Sequence, residues 1–271
     1  MNGQHVLITG GSSGIGKATA GRCASRGANV AIVGRDPAKL EQARVEILAA
    51  RSQPSQQVIT LSADLSDRTQ AEQAMQTAMD QLGTPEILIT CAGIAHPGYF
   101  SELPIEIFEQ TMAINYFGSL YCIKAVLPAM QKQQRGHIVV VSSGAGLIGI
   151  YGYTPYSPSK FALRGLAEAL RGELKVAGIG ISIVYPPDTD TPQLVAENRT
   201  KPPETKRITA TAKTWSAEAV AQTILTGIEN RAFVIAPGQE MGVLARLHSV
   251  LAPGLNWYFD RIVAQTRSKG G

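Results

Sequence analysis

The sequence predicts an α/β fold, a doubly wound parallel sheet of seven strands with helices on both faces. Three observations carry that prediction. Short β-branched and aliphatic runs recur without polar alternation, as strands covered on both faces do. Segments of helical period, too long for hairpin turns, separate successive runs. A glycine-rich turn stands directly between the first run and the first helical segment. With 44% apolar and 17% charged residues, 271 residues suffice for one large core and exclude a disordered or coiled-coil chain.

In order, strands are expected at Val6–Thr9, Asn29–Val33, Val58–Ser62, Ile87–Thr90, His137–Ser142, Ile181–Tyr185 and Ala232–Ile235. Helices are expected near Ile15–Ser25, Pro37–Ala50, Arg68–Leu82, Phe108–Gln133, Pro158–Val176 and Ala217–Glu229. The pattern keeps one character from residue 1 to 236, so residues 1–271 read as a single domain. Two segments break it. Residues 187–214, rich in Pro, Thr and Lys with no clear period, read as a lid loop. Residues 241–263 read as an apolar C-terminal extension of two helical stripes, one through Met241, Leu244, Leu247 and Leu251, the other through Leu255, Tyr258, Phe259, Ile262 and Val263. The stripes are separated by a break at Pro253-Gly254.

Charge excludes some partners. Residues 199–271 hold 10 basic and 5 acidic side chains while residues 1–198 are nearly balanced. No Lys/Arg run with interleaved aromatics accompanies the excess, so nucleic acid is not an expected partner. Cys23, Cys91 and Cys122 are far apart and form no CxxC pair, which points to buried thiols rather than a disulfide framework or a metal site. No basic and apolar leader precedes Val6, and no apolar stretch reaches the ~20 residues of a bilayer span. A cytoplasmic protein is expected.

The first turn reads Thr9-Gly10-Gly11-Ser12-Ser13-Gly14-Ile15-Gly16. Glycines let the backbone approach a pyrophosphate, and the following helix N-terminus offers free N–H groups. Gly10, Ser12, Ser13, Gly14, Ile15 and Gly16 are therefore expected to cradle a dinucleotide. The second strand ends in Val33-Gly34-Arg35-Asp36, with Lys39 one turn beyond. Glycine stands where an acid would grip the ribose 2′-OH of NAD, and Arg35 suits a 2′-phosphate, so NADPH is the expected cofactor. Asp36 reads as a helix N-cap ahead of Pro37.

Tyr156 and Lys160, four residues apart, share one helix face. A phenol of ordinary pKa, about 10, donates and accepts protons poorly near neutrality unless a neighbouring cation stabilises its anion. Ser142 and Ser143 end the fifth strand at the edge of the sheet where ligands bind in such folds. Either hydroxyl fits the site by position alone.

Taken together, the glycine turn, Asn115, Ser143 and the Tyr156–Lys160 pair resemble the short-chain dehydrogenase/reductase family over nearly the whole chain. The resemblance implies a Rossmann-type sheet and a set of roles. Tyr156 would be the general acid, Ser143 would hold the carbonyl oxygen, and Lys160 would bind the nicotinamide ribose and lower the Tyr156 pKa. Asn115 would anchor a water that passes protons to Lys160. By position in the family, Asp64 and Leu65 would meet the adenine, Gly93 would line the cofactor, and Thr189 and Thr191 would meet the carboxamide or pyrophosphate.

A narrower similarity, to the 3-ketodihydrosphingosine reductases, rests on Tyr185-Pro186-Pro187-Asp188-Thr189-Asp190-Thr191-Pro192, Glu197 to Pro202, Glu204-Thr205 and Cys91. It implies NADPH-dependent reduction of a long-chain keto base in sphingolipid synthesis. The alternatives at this stage are another hydrophobic ketone, 3-oxoacyl or steroid-like, or a protein that senses NADP(H) without turnover. The C-terminal stripes would shape an acyl groove or rest on the cytoplasmic membrane surface, aided by Arg246, Arg261, Arg267 and Lys269. The family resemblance also implies a homo-oligomer, with the long helices at Phe108–Gln133 and Pro158–Val176 as interface elements.

Overall fold

The structure, a computed structural model, describes residues 1–210 and 213–268. All seven expected strands form one parallel sheet. They are β1 (His5–Thr9), β2 (Asn29–Gly34), β3 (Val58–Ser62), β4 (Ile87–Thr90), β5 (Gly136–Val141), β6 (Ile179–Val184) and, after two short strands, β9 (Val234–Ile235). Their spatial order is β3-β2-β1-β4-β5-β6-β9. The short strands β7 (Thr189–Asp190) and β8 (Trp215–Ser216) pair separately.

Each strand is apolar on both sides because both sides are covered. Leu7, Val33, Leu88, Ile138 and Ile183 face a core closed by α3 (Arg68–Leu82), α5 (Gly118–Gln133) and α6 (Tyr156–Val176). Their neighbours Val6, Ile8, Ile32, Ile89 and Val139 face a second core closed by α1 (Gly14–Ser25), α2 (Pro37–Ala49) and α9 (Ala217–Glu229). Successive strand residues alternate between the cores, so no polar period survives in the sequence. Asp36 caps α2 through Ala38 N and Lys39 N, at 3.0 and 3.2 Å. The strand order reverses between β1 and β4, and that reversal opens a crevice at the C-terminal strand ends.

Three expectations need correction. The helix expected over Phe108–Gln133 is two helices, α4 (Ile105–Met112) and α5, joined through a π turn at Ala113–Phe117 that carries Asn115. The expected lid loop contains β7, α7 (Pro192–Thr200) and α8 (Pro203–Thr209), and β8 follows directly after it; of its residues, 211 and 212 lie outside the description. Thr191 caps α7 by accepting from Leu194 N, and proline occupies the first position of both α7 and α8, where its missing N–H costs nothing. Finally, the C-terminal break does not exist: α10 (Gly238–Arg267) runs unbroken through Pro253. Pro253 lies on the exposed side, where a carbonyl that loses its partner faces water.

Met241 and Leu244 at the start of α10 pack on the core, whereas Leu247 is 48% exposed. Ile262 is the one buried residue of the helix among those described. Lys269, expected to aid a membrane contact, lies outside the described residues. Among the described residues no helix is long and apolar enough to cross a membrane.

Candidate active site

A cleft of about 360 Å³ lies at the crevice, lined by the ends of β1, β2, β4 and β5 and by the lid helix α7. Its floor is the glycine turn. A Cβ on Gly16 would stand 2.3 Å from the Gly10 carbonyl oxygen, and Gly14, at φ +51°, faces Thr191 so closely that a Cβ would reach its methyl at 2.9 Å. Only glycine permits that approach. Ser13 precedes α1 with its hydroxyl unspent on capping, and no acid occupies the first turn. Ser12, Ser13 and the α1 N–H groups thus offer donors and a partial positive charge, a donor set that fits the pyrophosphate of a dinucleotide.

The adenosine end is set by the β2 terminus. Gly34 lines the cleft without a carboxylate, and a Cβ there would press on the Ser12 hydroxyl at 3.2 Å. Arg35 and Lys39 are exposed at the same end. Lys39 leans on Asp36 at 3.7 Å, leaving Arg35 as the freer cation. Asp64 lines the cleft and accepts from the Ser66 hydroxyl at 2.7 Å, while Leu65 is buried behind it against Gly118. Thr189 and Thr191 line the opposite wall, with hydroxyls donated to Pro187 O and Thr189 O.

At the other end, Ser143, Tyr156 and Lys160 meet in the cleft. The two serines at the end of β5 have different partners. Ser142 donates to the Lys160 carbonyl at 2.9 Å and so holds α6 against β5. Ser143 accepts from Ala145 N at 3.2 Å and lies in the cleft beside Tyr156, whose phenolate it favours. Lys160 donates from Nζ to Val141 O at 3.1 Å and lies 5.5 Å from the Tyr156 ring centre. Burial brings the Lys160 pKa down to about 8. Tyr156 is driven the other way, well above its ordinary value, first by burial and then by the Glu197 carboxylate. The groups that lead in lowering it are Ser143 and Gln193, not the expected Lys160.

Asn115 is fully buried, and its side chain is engaged on every side. It donates to Ile94 O and to the Ser159 hydroxyl at 3.0 and 2.9 Å, and accepts from Ile94 N at 2.8 Å. Gly93 lies close to Asn115 and Lys160, where a Cβ would fall 3.2 Å from Asn115 Oδ1 and 3.4 Å from Lys160 Nζ. Asn115 therefore ties the β4 loop to α6, and it does not line the cleft itself.

Sequence reasoning missed Tyr153, Gln193 and Glu197, which share the wall beside Tyr156. Glu197 Oε2 accepts from the Tyr153 hydroxyl at 2.6 Å, and Oε1 accepts from Gln193 Nε2 at 2.8 Å. The available signals were Thr191-Pro192 as a helix start and the Gln193–Glu197 spacing of one turn.

Comparisons with known proteins agree with this geometry. A family model described as short chain dehydrogenase matches residues 4–202. The 3-dehydrosphinganine reductase of Danio rerio is 42% identical over 254 residues, covering 93% of this chain and 76% of that one. The 3-ketodihydrosphingosine reductase of Bos taurus is 43% identical with the same coverage. That of Dictyostelium discoideum is 42% identical over 96% of this chain and 81% of its own. Among solved structures, a levodione reductase superposes with a TM-score of 0.80 at 26% identity, over 87% of this chain and 96% of that one. A short-chain dehydrogenase/reductase from Burkholderia phymatum in complex with NAD also gives 0.80, at 25% identity over 91% and 92%. The family match spans the first six strands of the sheet, the glycine cradle, Ser143, Tyr156 and Lys160, and the chain belongs to the short-chain dehydrogenase family.

Proposed function

We propose that the protein is an NADPH-dependent reductase that converts 3-ketodihydrosphingosine to dihydrosphingosine, a step of sphingolipid synthesis. The meeting of the glycine cradle, Ser143, Tyr156 and Lys160 in one cleft carries the reaction type. The ketone comes from relatives of that name at 42–43% identity over 93% of the chain. The nicotinamide, when bound, supplies the hydride to the ketone carbon. The chain's own groups do the rest. Ser143 holds the ketone oxygen, Tyr156 delivers the proton to it, and Lys160 holds the nicotinamide ribose. Ser12, Ser13 and the α1 N-terminus hold the pyrophosphate, while Arg35 and Lys39 take the 2′-phosphate. Asn115 positions the Gly93–Ile94 backbone against α6.

The test follows NADPH and NADH oxidation with 3-ketodihydrosphingosine in detergent, beside a short 3-oxo ester. Fast turnover of the long-chain base with NADPH is the expected result. Turnover of the short ester alone leaves the catalytic groups in place and removes the long-chain assignment.

The same reading includes a second copy of the chain and, at a cytoplasmic location, an anionic membrane surface as neighbours. Phe117 and Phe161, on the π turn and α6, remain 40% and 39% exposed. On α10, Val243, Leu247, Val250 and Trp257 follow one another at steps of four, three and seven residues along one exposed face, with Arg246 and Arg261 also exposed. Light scattering reads the first contact, and sedimentation with anionic against neutral vesicles reads the second.

A further inference from the structure

Glu197 is out of place as a structural residue. It is 7% exposed, yet it lies in the cleft wall beside Tyr156. Tyr153 and Gln193 give its carboxylate two hydrogen bonds. Among the described residues no Lys, Arg or His stands within ion-pair distance of it. Of the nearby buried cations, Lys201 pairs with Asp188 at 3.9 Å, while Lys160 donates to Val141 O and meets the Glu197 charge only at longer range. Two neutral donors leave a buried carboxylate without the ionic partner that would offset its desolvation. That charge is felt at the reacting group, since Glu197 follows burial as a cause of the raised Tyr156 pKa. With no ligand cation present, the residue therefore opposes the proton transfer its neighbour must perform.

Both penalties disappear if the ligand brings a positive charge next to its carbonyl. A long-chain 3-keto base carries an amino group on the carbon adjacent to the ketone. With the ketone oxygen held by Ser143 and Tyr156, that ammonium is confined to the immediate surroundings of the oxygen, and Glu197 lines the same wall. Tyr153 and Gln193, anchored on the β5–α6 connection and on α7, fix the carboxylate from two sides.

We propose that Glu197 binds the substrate ammonium and makes the enzyme select 2-amino ketones over plain ketones of equal length. This rests on the reading of the protein as a long-chain keto-base reductase. The cleft then reads a substrate at two points, the ketone oxygen at Ser143 and Tyr156 and the adjacent cation at Glu197.

The experiment compares kcat/KM for 3-ketodihydrosphingosine with that for its deaminated analogue, a 1-hydroxy-3-ketone of the same chain, in the wild type and in Glu197→Gln. The amide keeps an acceptor for Tyr153 and removes the charge. Hydrogen bonds to charged groups predict a preference of about 10- to 100-fold in the wild type, collapsing toward unity in the variant. A variant that retains the wild-type ratio overturns the proposal, because a merely structural Glu197 would lower both rates together. Should the variant not fold, the wild type alone decides. With the deaminated ketone as substrate, a long-chain primary amine is expected to inhibit at least about tenfold more strongly than the alcohol of equal length. Equal inhibition overturns the proposal. A wild type that reduces the deaminated ketone and not the amino ketone instead overturns the keto-base reading from which the proposal started.

Discussion

Tyr156 holds its proton firmly in the free protein, because burial and the Glu197 charge both disfavour the phenolate. The phenol therefore starts protonated for reduction, but it must give up that proton as charge develops on the ketone oxygen, a transfer that the Glu197 charge by itself opposes. Tyr156→Phe is expected to lower kcat by about 10²- to 10⁴-fold while NADPH binding, followed by fluorescence, is retained. Lys160 sets the alkaline side. Its pKa is lowered to about 8 by burial, so its positive charge is present below that pH and lost above it. The kcat/KM profile is expected to fall above about pH 8 with the slope of one proton, and Lys160→Arg, which does not titrate there, should remove that limb. Arg35→Ala should raise the KM for NADPH about tenfold or more and leave that for NADH unmoved. The glycine turn and the Tyr156–Lys160 pair on one face of α6 were legible in the sequence through their spacing, whereas Ser143 was told from Ser142 by the family resemblance alone. Glu197 was not legible, since a lone acid in a polar stretch carries no period and its meaning comes from the wall it joins in space.

Among the elements, β5 and β6 are held together by more than their ladder. His137 Nε2 meets the Ser182 hydroxyl at 2.7 Å, and that hydroxyl donates to Ala232 O at 2.6 Å, linking both strands to the segment before β9. Burial brings the His137 pKa down to about 4 from 6.5. Between those values the unfolded chain binds a proton that the folded one refuses, so stability falls as pH drops from 6.5 toward 4. Urea unfolding should show a loss on the order of 2–3 kcal/mol across that window from this group, and His137→Gln should flatten the slope. The strands were readable because burial on both faces leaves continuous apolar runs. The π turn at Ala113–Phe117 was not, because the residues of a π turn have the composition of the helices it joins. The lid helices α7 and α8 have 9 and 7 residues, too few to impose a period on the sequence. Pro253 misled for the opposite reason: a strong local signal was overruled by its position on the wet side of α10.

At the scale of the molecule, α10 works as a strap between the β5–α6 connection and the lid helix α8. Its first turns bring Met241 to within 3.2 Å of where a Cβ on Gly144 would stand, beside Ser143. Its far end grips the lid, with Arg267 reaching Glu204 at 3.5 Å and Tyr151 at 3.0 Å, and Arg207 reaching Thr266 at 2.7 Å. Glu204 is itself buried, so removing Arg267 leaves a carboxylate there with Tyr99 as its neutral donor. Truncation after Glu240 is therefore expected to loosen α8 first. Hydrogen exchange over residues 203–209 should accelerate by about tenfold or more, with a smaller change in the sheet. A shortened chain with unchanged lid protection and unchanged preference for long ketones would remove both the strap and the lipid role from α10.

The seam between β1 and β4 has a further consequence. The two halves of the sheet meet there through four residue pairs, from Val6–Ile87 to Thr9–Thr90, and the Thr9 hydroxyl closes the seam by accepting from Cys91 N and Ala92 N at 3.1 Å each. A nucleotide in the cradle would lie across that join and would have no counterpart on the unfolded chain. Held at a hundred times its dissociation constant, it would add about 2.7 kcal/mol to the free energy of unfolding. The population open to a protease would then shrink about a hundredfold. The lifetime of the protein in a cell would follow the supply of the nucleotide it consumes, so that starvation for the cofactor would remove the enzyme as well as its reaction.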